Sequence, residues 1–467
     1  RTHRGAAAVR GGDGRGVLSA GLMITTGNDN HSKRRLFRVV LTGFVTLFSR
    51  GTATLLNLLL IPFTSHYLGK ERFGLWLLLS SFIAWVSIAD LGLTNSLVNA
   101  IARADGKNDT DQARESVASA FWIVTPIALF AVPTILTVIP LVPLHHLLGL
   151  KSSKAIDEVG PSVIIFLLYC AIRIPTSIVS CIYHAYQEGY LQHLWNLIGG
   201  LASAAGLLLA IYFGAGLPLM AGSFISGMLL VDFASALYLF LFHRRYLFPA
   251  PGFFNRITAL DLIKSGFQFW IAQISSVLLL QTGLVIVSIM YSASEVAAYG
   301  TMLRLFALVG AVQTAFVSPL WAAYGEALSR KDVRWIKNVF YKSLLFTLSW
   351  MIPSCGIVFY FLNTLFSWML TEDIIAVPAL GLPVMFGEII GAVSRCISTF
   401  LNGLGIIKLQ SIIGPVVCVG NLILTWFLGR KFGPQGIAWS TAISMLFLWP
   451  VVMGYQAKYA MDTMSSH

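Results

Sequence analysis

The sequence predicts an all-α integral membrane protein with about 12 transmembrane helices in two six-helix bundles around a central cavity. Of its 467 residues, 56% are hydrophobic and only 11% are charged, whereas a soluble domain has about 25% charged residues. Apolar runs of about 20 to 30 residues recur between short polar breaks, and about 20 apolar residues cross a bilayer core. Little chain is left for a soluble catalytic domain, so the protein is not expected to be an enzyme.

Twelve apolar runs account for the predicted helices. Each run is long enough to cross about 30 Å of hydrocarbon at a rise of about 1.5 Å per residue. Trp and Tyr side chains near many of the ends, such as Tyr67, Trp335 and Trp439, are typical of the membrane interface. In chain order the runs are 36–65, 74–101, 117–142, 159–186, 193–214, 218–242, 265–291, 296–324, 339–366, 374–401, 409–428 and 435–456.

The spacing of the runs predicts the domain organisation. Residues 1–35 form a cytoplasmic N-terminal extension, 36–242 the first bundle, 243–264 a cytoplasmic linker, 265–456 the second bundle and 457–467 a cytoplasmic tail. Residues 1–22 lack an apolar core of signal-peptide length. This stretch is therefore expected to be a mis-assigned start, with Met23 as the initiator.

The distribution of Lys and Arg predicts the orientation. With both termini in the cytoplasm, the inner segments hold 22 of these residues and the outer loops hold 6. Without residues 1–22, the inner total is still 18. Because excess positive charge marks cytoplasmic loops, the net charge of +12 is assigned to membrane topology, and no nucleic-acid partner is expected.

Two short matches in the same order indicate an internal repeat. The stretch Glu71 to Trp76 resembles the stretch Glu295 to Gly300, at an offset of 224 residues. Leu191-Gln192 and Leu409-Gln410 match at an offset of 218. A duplicated unit of six helices keeps both copies in the same orientation, which gives parallel repeats with a substrate site between them.

Ionisable side chains inside the apolar runs are the first candidate site residues, because a charge at membrane depth is costly and is usually functional. They are Arg50, Asp90, Arg173, Asp232, Arg304, Glu388 and Arg395. If Arg173, Arg304 and Arg395 face one cavity, they form a ladder of positive charge. Such a ladder suits an anionic ligand, since the guanidinium fork matches phosphate oxygens.

The same charges have structural alternatives. Arg50 and Asp90 lie roughly 21 and 16 Å from the inner membrane surface on adjacent antiparallel helices, so they could form an ion pair. Glu388 lies seven residues before Arg395, so both share one helix face and could pair within the helix. Arg395 could also extend to the inner surface.

Further candidates are polar side chains and acids. Asn95 and Asn99 are four residues apart on one helix face, where they could contact sugar hydroxyls or form hydrogen bonds between helices. Asp90, Asp232 and Glu388 are candidates for ion coupling or for ion pairs.

No motif for catalysis, a metal or a cofactor is found. The sequence contains no GxxxxGK[ST] loop, no GxSxG elbow and no HExxH helix, which carry phosphate binding, acyl transfer and zinc chemistry. The five cysteines lie in apolar runs without metal-ligand spacing. Catalytic residues, metals and cofactors are therefore not expected.

The stretch Tyr67 to Trp76, followed by Asp90-Leu91-Gly92-Leu93, resembles bacterial polysaccharide flippases. These are the O-antigen and exopolysaccharide transporters of the multidrug, oligosaccharidyl-lipid and polysaccharide exporter superfamily, and the likeness covers about 36–456. It implies a cavity that opens alternately to each side of the bacterial inner membrane. It also implies an oligosaccharide linked to undecaprenyl-type diphosphate as substrate, with polysaccharide polymerase and chain-length proteins as candidate partners.

The resemblance implies a cationic cavity. The arginines that correspond to it here, without a position-by-position match, are Arg50, Arg173, Arg304 and Arg395. A multidrug or metabolite antiporter of the same superfamily, coupled to a proton or sodium ion, is the main alternative. Helix one carries Arg50 and no acid, which favours the anionic substrate. The second alternative is a scaffold protein, which belongs to a polysaccharide assembly complex and does not itself transport a substrate.

Overall fold

The structure is a computed structural model that describes residues 35–56, 59–60, 63–64, 66–69, 72–73, 75–76, 79, 91–144, 152–291, 293–369 and 378–464. Within these residues the regular structure is helical, without strands. Eleven helical segments of the described chain are long and apolar enough to cross a membrane. Of the run predicted at 74–101, residues 93–101 belong to a further helix, and much of the remainder lies outside the described residues.

The first half of the chain folds into six labelled helices: α1 (Arg35–Leu56), α2 (Leu93–Lys107), α3 (Thr110–Val138), α4 (Ser153–Ala185), α5 (Gly189–Tyr212) and α6 (Leu217–Leu237). One wide π-helical turn, Tyr238–His243, extends α6. These helices pack around two apolar cores, which are centred on side chains such as Leu97 and Tyr183 in one and Leu79 and Phe166 in the other.

The second half contains α7 (Arg256–Met290), α8 (Ala293–Val317), α9 (Leu320–Ser329), α10 (Val333–Tyr360), α11 (Leu362–Met369), α12 (Pro378–Gly403), α13 (Lys408–Phe432), α14 (Pro434–Leu446) and α15 (Gly454–Thr463). These helices enclose two further cores, around Tyr324 and Phe400 in one and around Met302 and Phe306 in the other. The all-helical fold with two helical bundles agrees with the predicted fold class.

Several helices begin before the apolar run that predicted them. Helix α7 begins at Arg256, inside the stretch that the sequence assigned to the linker, because the Asn255 side chain caps it by accepting from the amides of Ile257 (2.9 Å) and Thr258 (3.4 Å). Helix α4 begins at Ser153 rather than near 159. Polar residues continue a helix beyond the hydrocarbon when a cap satisfies its first amides, so hydropathy alone places the start of α7 too late.

The ends of α2 and α9 show the internal repeat in the backbone. Asn108 and Lys331 follow these helices with left-handed φ values of 55° and 57°. The next residues, Asp109 and Asp332, each cap the following helix through their carboxylates. Two further positions with positive φ in the first half have equivalents in the second half, in the same order. Gln187 corresponds to Gly405, and Gly214 corresponds to Gly433.

Helices α2 and α9 are the corresponding C-terminal parts of the second helix in each half. A break at Leu91 and Gly92, both with positive φ, precedes α2, and a break at Ser318-Pro319 precedes α9. The two helices pack against each other at the middle of the molecule. We call the end of the molecule that carries residues 244–255, between the two halves, the linker face, and the opposite end the far face.

Candidate functional site

A cavity of about 660 Å³ lies mainly within the first half. This volume is within the usual range of small-molecule sites, about 300 to 1,000 Å³. Helices α1, α2, α4, α5 and α6 form most of its wall, and α7 and the start of α9 close it from the second half. Its polar and aromatic lining includes Asn95, Arg173, His184, Trp195, Asn196, Gln273 and Trp321.

Arg173 and Asp232 form the charged part of the cavity wall. Arg173 on α4 places Nη1 3.1 Å from Oδ2 of Asp232 on α6 and donates to the Tyr169 hydroxyl at 2.6 Å. The two charged side chains remain 29% and 18% exposed, so a molecule in the cavity reaches them. Sequence reasoning assigned Arg173 to substrate binding and Asp232 to ion coupling or pairing, and the structure places both at one point.

Arg50 and Arg304 are exposed, and neither side chain forms an ion pair or hydrogen bond with another described residue. Arg50 lies one turn before Ala53, which lines the cavity. Arg304 on α8 lies outside the cavity lining. Asp90 lies outside the described residues, so the predicted pair with Arg50 is not described.

Glu388 and Arg395 pair across two turns of α12, with Arg395 Nη2 2.7 Å from Glu388 Oε1. Arg395 Nε also donates to the Gln313 side chain at 3.3 Å. This group lies in the second half, outside the cavity lining. Of the four predicted arginines, Arg173 is the one that lines the described cavity.

The two predicted asparagines on α2 have different surroundings. Asn95 lines the cavity. Asn99 is buried, donates to the carbonyl of Asn402 at 2.8 Å and accepts from the indole of Trp321 at 2.6 Å. Both partners belong to the second half, so Asn99 joins the two halves.

Sequence reasoning singled out only one member of a polar stripe along α4. Tyr169, Arg173, Ser177, Ser180 and His184 all line the cavity, and they recur every three or four residues, which places them on one helix face. This spacing was available in the sequence. The other lining residues come from separate helices, such as Trp195 on α5 and Gln273 on α7, and their convergence depends on packing.

Glu326 on α9 is the centre of an ion-pair cluster at the linker face. It is buried and accepts from Arg35 Nε at 2.8 Å, Arg330 Nε at 2.6 Å and Gln187 Nε2 at 2.8 Å. Arg35 and Gln187 belong to the first half, so the cluster bridges both halves. Burial, reinforced by the charge of Glu326, raises the pKa of Asp105 above its ordinary value.

A second cluster at this face surrounds Glu188, in the turn between α4 and α5. The Glu188 carboxylate lies 2.8 Å from Arg244 Nη2, 2.9 Å from His243 Nε2 and 3.8 Å from Arg38 Nη2. Burial disfavours the charge of Arg244, but Glu188 holds the pKa of Arg244 above its ordinary value. Together, the two clusters hold α1, the turn, the linker and α9 against one another.

Two repeated helical halves with an apolar exterior, and a cavity that holds polar and charged side chains in its wall, define a multi-pass membrane transporter rather than an enzyme. The family comparison agrees with this class. The model of the polysaccharide biosynthesis protein family matches residues 40–324, and the MatE model matches residues 270–427. The chain belongs to the polysaccharide biosynthesis protein family.

Relatives with similar sequences span almost the same length. A protein named as an O-antigen transporter in Salmonella typhi is 24% identical over 421 residues, which cover 86% of this chain and 93% of the relative. A protein named as an O-antigen export protein in Yersinia pseudotuberculosis is 24% identical over 396 residues, which cover 81% and 86%.

Solved structures of transporters share the fold. A MATE in the bent conformation has a TM-score of 0.79 at 15% identity, with 92% of this chain and 96% of that chain covered. A MATE in the straight conformation has a TM-score of 0.77 at 14% identity, with 93% and 97% covered. A MOP superfamily transporter from Pyrococcus furiosus has a TM-score of 0.76 at 16% identity, with 92% and 97% covered.

Proposed function

We propose that this protein moves a lipid-linked polysaccharide precursor, an oligosaccharide on a polyprenyl diphosphate, across the bacterial inner membrane. The observation that carries the proposal is the cavity with Arg173 in its wall. Membership in the polysaccharide biosynthesis family and the O-antigen names of the relatives support the class of substrate. The head of the substrate enters the cavity, and the lipid chain stays in the bilayer.

The lining of the cavity matches such a head group chemically. Asn95 and Asn196 offer amide groups that can form hydrogen bonds with sugar hydroxyls. Trp195 and Trp321 offer indole rings that can stack on the apolar faces of sugar rings. Arg173 offers charged N–H donors to an acidic group. Asp232 holds the guanidinium in place.

The positive-inside rule places the linker face in the cytoplasm. The hydrogen bonds of Glu326 and Asn99 described above then join the two halves on the cytoplasmic side. We infer that the structure represents the state in which the cavity is closed to the cytoplasm. Alternating access requires that these contacts break when a new substrate enters.

A cation-coupled antiporter is the second candidate, and Asp232 in the cavity wall is the observation that favours it. A membrane-embedded acid can bind a cationic drug or a coupling ion. However, the Arg173 guanidinium lies 3.1 Å from this carboxylate and offsets its charge. A carboxylate whose charge is offset attracts a cation less strongly, which weighs against the antiporter.

The first test uses a strain that lacks the gene. We expect lipid-linked oligosaccharide to accumulate and surface polysaccharide to be lost, as measured by lipid extraction and by gel analysis of the surface polymer. Arg173→Ala is expected to lower export about tenfold or more, since a charged hydrogen bond contributes about 1.5 to 3 kcal/mol. Arg173→Lys is expected to restore export only in part, because an ammonium group lacks the planar fork.

The matched control is Arg430→Ala, which removes a guanidinium that lies over the Trp426 ring at the far-face end of α13. It is expected to export normally. Immunoblots of membrane fractions show whether each variant inserts. Normal surface polysaccharide in the deletion strain, together with a changed sensitivity to cationic drugs, would contradict the flippase and support the antiporter. Full export by Arg173→Ala would remove Arg173 from the site.

A further inference from the structure

Two histidines lie together at the linker-face end of the cavity. His184 is at the end of α4 and His193 at the start of α5, and the turn between these antiparallel helices brings their ring centroids to 6.0 Å with an interplanar angle of 77°. His184 lines the cavity. Neither ring forms a hydrogen bond with another described residue, so both rings have nitrogens available to a ligand.

Helix α1 adds a guanidinium to this pair. The hydroxyl of Ser49 donates to the carbonyl of His193 at 2.9 Å, which fixes this part of α1 at the level of the histidines. The next residue is Arg50, which follows directly after this hydrogen bond on α1. Arg50, His184 and His193 are called the basic trio below.

No carboxylate of the described residues lies within ion-pair distance of either histidine of the basic trio. The acids nearest in the chain or at the same face have other partners. Glu188 contacts Arg244 and His243, and Glu326 binds Arg35. Asp232 lies farther along the cavity, beside Arg173.

The basic trio differs in this respect from four arginines at the same end of the molecule. Arg35, Arg38, Arg244 and Arg330 each lie within ion-pair distance of a glutamate. The Arg50 guanidinium, which stays charged, is costly without such a partner in a medium of low dielectric constant. A bound anion removes that cost, since the guanidinium and the imidazoles donate hydrogen bonds to anionic oxygens.

We propose that the basic trio is a binding site for a diphosphate at the linker-face end of the cavity. This proposal rests on the proposed function. It assigns each end of the substrate head group, the diphosphate and the sugars, to one part of the cavity. Arg173 precedes His184 by eleven residues on α4, or about 16 Å along the helix, so one diphosphate cannot contact both. The diphosphate binds the basic trio, and the sugars extend towards Arg173 and the far face.

The test measures binding of inorganic pyrophosphate to the full chain in nanodiscs by titration calorimetry. Arg50→Gln and the double variant His184→Gln/His193→Gln are each expected to weaken binding about tenfold. Arg50→Lys keeps the charge and is expected to retain most of the affinity. Arg430→Gln and His66→Gln, at the far face, are matched controls that are expected to bind like the native protein.

A methyl glucuronide serves as the second probe, because an acidic sugar offers the same anionic chemistry from another part of the substrate. It is expected to bind more weakly than pyrophosphate and to be insensitive to Arg50→Gln. Tighter binding of the glucuronide, or equal pyrophosphate affinity in all variants, would overturn the assignment. Size-exclusion profiles show that each variant is folded.

The two proposals fail in different ways. If the deletion strain accumulates lipid-linked oligosaccharide but the trio variants bind pyrophosphate normally, the basic trio is not the diphosphate site and the flippase stands. If the deletion strain has normal polysaccharide, the transport proposal fails whatever the calorimetry shows, and the trio is then no longer assigned to this substrate.

Discussion

Glu326 is a single buried carboxylate that stabilises the contact between the two halves at the linker face. Its side chain is 6% exposed, and its two oxygens accept from Arg35, Arg330 and Gln187. The Arg35 guanidinium also contacts Asp332 at 3.0 Å. Removal of the carboxylate would leave two guanidinium groups in a buried site with their charge less compensated, which is strongly destabilising.

We predict that Glu326→Gln weakens the closed linker face by about 3 kcal/mol. The reporter is Ala102→Cys, because Ala102 is fully buried on α2 next to α9. Labelling of this cysteine by a membrane-impermeant maleimide in inside-out vesicles is expected to rise in the Glu326→Gln background. Glu158→Gln is the matched control, since it disrupts a similar pair with Arg72 at the far face. Equal labelling in both backgrounds would argue against the role of Glu326.

At the scale of elements, the crossing of α2 and α7 depends on a glycine. Gly92 has φ +71°, and an added Cβ would lie 2.3 Å from the carbonyl oxygen of Gly266 and 2.8 Å from the amide nitrogen of Trp270. Both atoms belong to the backbone of α7, which cannot move aside like a side chain. The left-handed conformation adds a cost of its own for any residue with a Cβ.

We predict that Gly92→Ala destabilises the folded protein by about 2 kcal/mol or more, from the left-handed backbone and the contact with α7 together. The measurement is thermal unfolding in detergent, followed by size-exclusion chromatography. Gly222→Ala, where an added Cβ meets nothing within 4 Å, is expected to be neutral or slightly stabilising. A Gly92→Ala protein as stable as Gly222→Ala would mean that α2 and α7 do not cross this closely.

At the scale of the whole molecule, α2 and α9 bring equivalent parts of the two halves together. The Cβ position of Gly325 lies 3.3 Å from the Cβ of Ala102, close to the separation of about 3.5 to 4.5 Å in disulfides. The same contact includes the Asn99–Trp321 hydrogen bond. A covalent bond here would hold the two halves in their present arrangement.

We predict that the double variant Ala102→Cys/Gly325→Cys forms a disulfide under mild oxidation and loses export, and that a reductant restores it. Gel mobility after proteolysis between the two positions reports the bond, and surface polysaccharide reports export. Each single variant is the control for the effect of the added side chain. Export that continues while the bond is intact would contradict alternating access through opening of the linker face.

The sequence by itself determined the class of fold. Lipid requires long apolar helices whose backbone groups bond internally, so the recurrence of apolar runs predicted the spans. Two short matches in the same order predicted the duplicated unit. The repeat signal at Gln192 and Gln410 lies at the start of corresponding helices, α5 and α13. Helix ends were less accurate, because caps such as Asn255 extend helices into polar sequence.

Only the tertiary structure decided which polar residues meet. Hydropathy does not show which face of a helix points inward, so Arg173, Arg304 and Arg395 looked equivalent in the sequence, whereas Arg173 lines the described cavity and Arg395 pairs with Glu388 in the other half. The basic trio comes from three helices. These helices come together where α1 packs against the turn that joins α4 and α5, a contact that depends on the three-dimensional packing of side chains.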